Sequence, residues 1–79
     1  MKPSEVIKKY GWIQGAMGNR DIGYCLMGAM YAAAKRNSDE FYRIFKKLNR
    51  KVAKAPLDWN DNPKRTKEEV INMLESIGQ

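Results

Sequence analysis

A single cysteine, Cys25, in a chain of 79 residues leaves this protein only its hydrophobic core to hold it together. No internal disulfide can form, and so short a chain buries a modest fraction of its unfolded surface, so one core must supply most of the stability. Composition permits such a core. Hydrophobic residues make up 43% of the chain, and the charged residues are interspersed among them, unlike the composition of disordered chains. One folded domain over residues 1–79 is expected. The missing disulfide framework also argues against a small secreted scaffold. No apolar run follows Lys2, and the longest weakly polar stretch, residues 22–34, is too short to span a bilayer. The expected location is the cytoplasm, without membrane association.

Four segments carry a helical period. In the first, Ser4 is positioned to cap a short helix with apolar positions Val6, Ile7 and Tyr10, and Gly11 stands where a helix C-terminal glycine belongs. Residues 12–21, with Gly15, Gly18 and Asn19, read as an irregular loop; a hairpin pairing 12–14 with 22–24 is the lesser alternative. A second helix is expected from a cap at Asp21 to about Arg36, burying a stripe of Ile22, Cys25, Leu26, Ala29, Met30 and Ala33. Gly28 in its middle implies close approach of another backbone or of the Trp12 ring. Asn37 followed by Glu40 is the signature of a capping box opening a third helix. That helix places Phe41, Ile44, Phe45, Leu48 and Val52 on its apolar face. Residues 55–65, with Pro56 and Pro63, read as a loop, and Thr66 with Glu69 opens a fourth helix buried through Val70, Met73, Leu74 and Ile77 and ended by Gly78. The expected fold is all-α: four helices with two substantial loops.

The inventory of reactive groups is sparse. There is no histidine, the side chain best suited to proton transfer near neutrality, and therefore no partner base for Cys25. Cys25 lies on the apolar stripe and reads as a core residue. No cluster of His, Cys or carboxylates has metal-ligand spacing, and Gly11, Gly15 and Gly18 fit neither phosphate-loop pattern. The chain is expected to bind rather than catalyse, with no metal and no cofactor.

Charge is unevenly placed. The net charge is +6, yet residues 1–54 carry twelve basic and four acidic side chains, and residues 55–79 three basic and five acidic. The third helix concentrates Arg43, Lys46, Lys47, Arg50, Lys51 and Lys54 on its polar side. Three readings stand for that face: a solvated surface, a dock for an acidic protein, or a track for nucleic-acid phosphates. Trp12 beside Gln14, and Trp59 beside Asn60, Asp61 and Arg65, are large rings among polar groups on loops. They suit either a binding hot spot or, in so small a core, structural capping. Asp61 is in addition a candidate partner for Arg65 or Arg20, tying the loops together.

Three blocks occur in order: Gly11-Trp12-Ile13-Gln14-Gly15-Ala16, then Cys25-Leu26-Met27-Gly28-Ala29, then Trp59-Asn60-Asp61 leading to Arg65-Thr66 and Glu69-Val70. With this pattern the chain resembles a family of small phage and bacterial proteins of unknown function, over residues 11–70. The resemblance implies no reaction and no cofactor. It does imply a phage connection, and with it a protein that occupies a surface of host machinery. The leading expectation is thus a non-catalytic, phage-type accessory protein that binds a host protein or ribonucleoprotein through an acidic surface. The helix-three cations are its candidate contacts, with Trp12 and Arg20 as secondary ones. Direct nucleic-acid binding, a pocket between the two tryptophan loops, and homodimerisation are the alternatives.

Overall fold

The computed structural model describes all residues, 1–79, as five helices and a small antiparallel hairpin in the order α1 (Pro3–Tyr10), β1 (Gly18–Asn19), β2 (Gly23–Tyr24), α2 (Leu26–Ala33), α3 (Ser38–Lys51), α4 (Pro56–Asn60) and α5 (Lys67–Ser76). The fold is mostly helical but neither purely α nor four-helical, and each departure from the expectation has a local cause.

Helix α1 starts one residue before Ser4. Proline at the first helical position has its φ already set and lacks an N–H that would go unpaired there, so Pro3 opens the helix. Ser4 is therefore no cap. Its hydroxyl and its N–H both donate to the carbonyl of Gln79, at 2.8 and 3.0 Å, which ties the two chain ends together.

Part of the loop expected over residues 12–21 is paired backbone instead. Gly18 pairs with Tyr24 and Asn19 with Gly23, and Trp12 bridges Tyr24 on its other side. Close approach is what makes this small sheet. A Cβ on Gly18, which sits at φ +93°, would lie 2.0 Å from the Gly23 carbonyl oxygen, so only glycine fits. The carboxamide of Asn19 closes the turn by accepting the N–H groups of Asp21 (2.8 Å) and Ile22 (3.1 Å). Asp21 and Ile22 are consumed by that turn, and Ile22 ends up 58% exposed rather than on a buried stripe.

Helix α2 consequently begins four residues later than the pattern suggested, at Leu26 with Cys25 as its cap; the Cys25 sulfur accepts the Gly28 N–H at 3.2 Å. Cys25 is buried, as expected of a core thiol. The expected tight contact at Gly28 is present and involves a backbone: a Cβ there would come within 1.9 Å of the Met17 carbonyl oxygen. Helix α2 gives way at Ala34, and Lys35 and Arg36 then turn the chain in left-handed conformations, φ +53° and +63°.

Helix α3 begins where Asn37 caps it, the Glu40 N–H donating to Asn37 Oδ1 at 3.1 Å. It stops at Lys51, with Val52 extended, so Lys54 lies beyond the helix on which the sequence placed it. Helix α4 occupies part of the expected loop. Pro56 starts it in the way Pro3 starts α1, and at five residues it is too short to show a period. Helix α5 has the full capping box, Glu69 N–H to Thr66 Oγ1 at 3.2 Å and Thr66 N–H to Glu69 Oε1 at 2.9 Å.

The core is a single cluster. Val6 and Ile7 from α1, Leu26, Ala29 and Met30 from α2, Ile44 and Leu48 from α3, and Val70 and Leu74 from α5 are buried together, with Val52 closing one side. Helix α2 is the centre, with α1, α3 and α4 packed on it, and α5 covers α1. Phe41, Phe45, Met73 and Ile77 join from its margin, partly buried.

Candidate functional site

The two tryptophan loops meet at one side chain. Asn60, at the end of α4, is completely buried. Its Oδ1 accepts the indole N–H of Trp12 at 2.7 Å and the backbone N–H of Leu26 at 2.9 Å. Its Nδ2 donates to the Ile13 carbonyl at 3.2 Å and to Asp61 Oδ1 at 3.0 Å. Every donor and acceptor of the carboxamide is thereby used, which is what a buried polar group requires. Gln14 continues the network, its Nε2 donating to the carbonyls of Asn60 (2.9 Å) and Asn62 (2.7 Å), and Gly15 N–H donates to Asp61 Oδ1 at 3.0 Å.

Asp61 makes neither ion pair expected of it. The Asn60 carboxamide, and then the Gly15 N–H, hold its carboxyl below the ordinary value. Arg65 instead lies over the Trp59 ring, 3.8 Å from its centroid, donates from Nε to the Trp59 carbonyl at 3.0 Å, and pairs with Glu69 at 3.2 Å. Trp12 and Trp59 are both partly buried against the core. Neither ring borders any of the three surface clefts of the molecule. The residues most distinctive in the sequence are thus knit to one another, with no buried side-chain polar atom left unpaired.

The basic face of α3 is different. Arg43, Lys46, Lys47 and Arg50 line one shallow groove together with Asp39 and Tyr42. Arg43 approaches Glu40 at 3.8 Å, a loose contact between exposed groups that contributes little. Lys46, Lys47 and Arg50 take part in no ion pair. Tyr42 is 58% exposed in the middle of this row, its ring stacked beside Phe45 and covered on one side by the Lys46 ammonium, 4.9 Å from the centroid. Lys51 and Lys54 are exposed but do not line the groove. Arg20 is on the hairpin turn and borders a separate cleft against α1 and α2. Of the eight candidate contacts, then, four share a groove, and Trp12 and Arg20 stand apart from it.

One feature of the site escapes sequence reasoning. In the sequence Asn60 is a polar neighbour of Trp59; the block Trp59-Asn60-Asp61 is the one available signal, and nothing in it says which residue is buried. Tyr42 is the one aromatic residue that the sequence offers for interleaving on the basic face, and packing leaves it exposed there.

Cys25 contributes no reactive group that the geometry can identify. Burial pushes its thiol pKa up, only partly offset by the N–H groups of Gly28 and Met27. No group of three or more His, Cys, Asp or Glu side chains is placed to hold a metal ion, and no helix is long and apolar enough to cross a membrane.

The comparison with known families covers almost the whole chain: a family profile matches residues 3–78. The chain belongs to a family of unknown function (DUF6197). The three blocks of residues 11–70, joined in space at Asn60, fall inside the matched span. No curated protein and no solved structure matches the chain.

Proposed function

We propose that this family member is a non-catalytic binding protein that docks through the α3 groove onto an acidic surface of another protein, as a phage-type accessory protein would on a host protein or ribonucleoprotein. The observation that carries this reading is Tyr42, a large ring left 58% exposed among Arg43, Lys46, Lys47 and Arg50. A ring set among cations in a groove has the make-up of an interface, which is enriched in tyrosine and arginine anchors surrounded by polar groups. The cations would steer an acidic partner, and Tyr42 would supply the desolvated contact.

The test is capture from a bacterial lysate by tagged protein after nuclease treatment, followed by titration of the captured protein against wild type and the double variant Lys47→Glu/Arg50→Glu. The expected result is a discrete partner whose affinity falls by about tenfold or more in the charge-reversed variant. An unchanged affinity would sink the assignment.

Nucleic acid is the second reading, favoured by the same juxtaposition of an exposed ring with a cationic groove, which is how single strands are held. It requires capture to vanish with nuclease and affinity to fall steeply with salt. A shallow salt slope and nuclease-resistant capture argue for the protein partner.

A further inference from the structure

The largest cleft in the molecule lies between α1, the hairpin and α2, with a volume of about 580 Å³, and meets α3 at Tyr31, whose ring packs edge to face on Phe41 at 5.7 Å. Its lining combines small residues, Gly28, Ala32 and Ala33, with the larger Tyr10, Met17, Tyr24 and Tyr31. Tyr10 and Tyr24 meet edge to face at 5.9 Å. Only six large hydrophobic side chains in the protein are strongly exposed, and three of them, Met1, Met17 and Tyr31, line this one cleft. Scattered apolar residues on a surface need no explanation, but a concave cluster of them does.

Arg20, Lys35 and Arg36 border the cleft, and no acidic residue lines it. None of the three takes part in an ion pair, since the three pairs in the structure are Lys8–Glu75, Arg43–Glu40 and Arg65–Glu69. Lys35 and Arg36 moreover occupy two consecutive left-handed positions, φ +53° and +63°. They close the end of α2, the Lys35 N–H donating to the Ala32 carbonyl at 3.1 Å and the Arg36 N–H to that of Tyr31 at 3.4 Å, which sets both side chains at the border of the cleft. An aromatic-lined hollow with a purely cationic border has the make-up of a small-molecule site. A single carboxylate would leave most of that positive charge uncompensated. A phosphate monoester carries about two negative charges near neutral pH and accepts the forked hydrogen bonds that guanidinium groups offer.

We propose that this cleft is a binding site for a nucleoside monophosphate, with the planar base against Tyr24, Tyr31 and Met17 and the phosphate held by Arg20, Lys35 and Arg36. The site shares no residue with the α3 groove, so it stands or falls independently of the docking reading.

The experiment is titration of isotope-labelled protein with adenosine monophosphate and with uridine monophosphate, followed residue by residue through the backbone amide resonances; adenosine and inorganic phosphate are separate arms. The expected result is saturable shifts at Asn19, Arg20, Tyr24, Tyr31 and Lys35 with at least one nucleotide, while α5 amides stay in place. Adenosine and phosphate alone should each bind weaker by about tenfold or more, the contribution of one charge-assisted hydrogen bond or one stacked base. Two variants guard against a folding artefact. Arg20→Gln should weaken nucleotide binding by about tenfold at unchanged melting temperature. Arg36→Gly removes a guanidinium and relieves a left-handed residue, so affinity should fall while the melting temperature holds or rises. No saturable shift at the cleft with either nucleotide, or shifts confined to the α3 groove, would overturn the proposal. So would phosphate or adenosine binding as tightly as the nucleotide, or both variants binding like wild type.

Discussion

The Asn60 junction and the α3 groove are opposites in what their polar groups do. At the junction, one buried carboxamide pairs with Trp12, Ile13, Leu26 and Asp61. In the groove, Lys46, Lys47 and Arg50 are exposed, and no ion pair restrains them. The junction contains the residues that stand out most in the sequence, and its geometry explains them as structure: three distant segments can bury their backbones together only if something pairs the polar groups they bring. The groove looks ordinary in the sequence, as a lysine-rich helix face does. Its unspent charges and exposed ring are nevertheless what the fold leaves available to a partner.

Substitutions can break this contrast, and the largest effect is expected at its centre. Asn60→Ala strands the indole N–H of Trp12, the N–H of Leu26 and the carbonyl of Ile13 in a buried site. The expected loss is about 3 kcal/mol or more, enough to threaten folding of so small a domain, and urea unfolding monitored by tryptophan fluorescence measures it. A loss under about 1 kcal/mol would show that water replaces the carboxamide, and the junction would no longer count as a lock.

Next comes Gly28→Ala. The added methyl group meets the Met17 carbonyl and must push the hairpin from α2, for a cost of about 1–3 kcal/mol in thermal unfolding. If stability were unchanged, the hairpin would have to be loosely attached, contrary to its role in placing Trp12.

A smaller effect distinguishes the two regions by pH. Asp61 and Glu69 both have pKa values lowered by folding, Asp61 mainly through Asn60 and Glu69 mainly through the Thr66 N–H. A depressed carboxylate contributes stability that is fully present above its unfolded value, here 3.8 for Asp61 and 4.5 for Glu69, and that is lost as pH falls through the lower folded value. The melting temperature should therefore drop on acidification through that range. Asp61→Asn should flatten the drop; an identical pH profile in that variant would remove Asp61 from the account.

The smallest stability effect belongs to the groove. Lys47→Glu/Arg50→Glu alters only exposed side chains and should change unfolding free energy by no more than about 0.5 kcal/mol per site. A large destabilisation would mean that the α3 face is structural after all, and would erase the contrast.

How far these regions could be read in advance depended on the range of the interactions. The start of α3 at Asn37, the start of α5 at Thr66, the glycine after α1 and most of the core stripe were legible, because caps and helical periods are settled by residues within a turn of one another. The six cations between Arg43 and Lys54 read as a group in the sequence, but the end of α3 at Lys51 leaves Lys54 off the helix. The cleft of Arg20, Lys35 and Arg36 had no signature at all, since it takes three elements to form it.

The amino-acid pattern alone determined a mostly helical, basic domain without a disulfide, with two capped helices and a glycine in α2 that demands a close neighbour. The tertiary structure decided the rest. It paired Gly18–Asn19 with Gly23–Tyr24 and bridged Trp12 to Tyr24, moved the start of α2 to Leu26, and gave Asn60 rather than the tryptophans the central place. The physical reason is that nothing local to Asn60 marks it for burial, since its partners Trp12, Ile13 and Leu26 come from other parts of the chain. Its value is set by which backbone, ring or charge the folded chain brings within a few ångströms of it, and those neighbours lie tens of residues away.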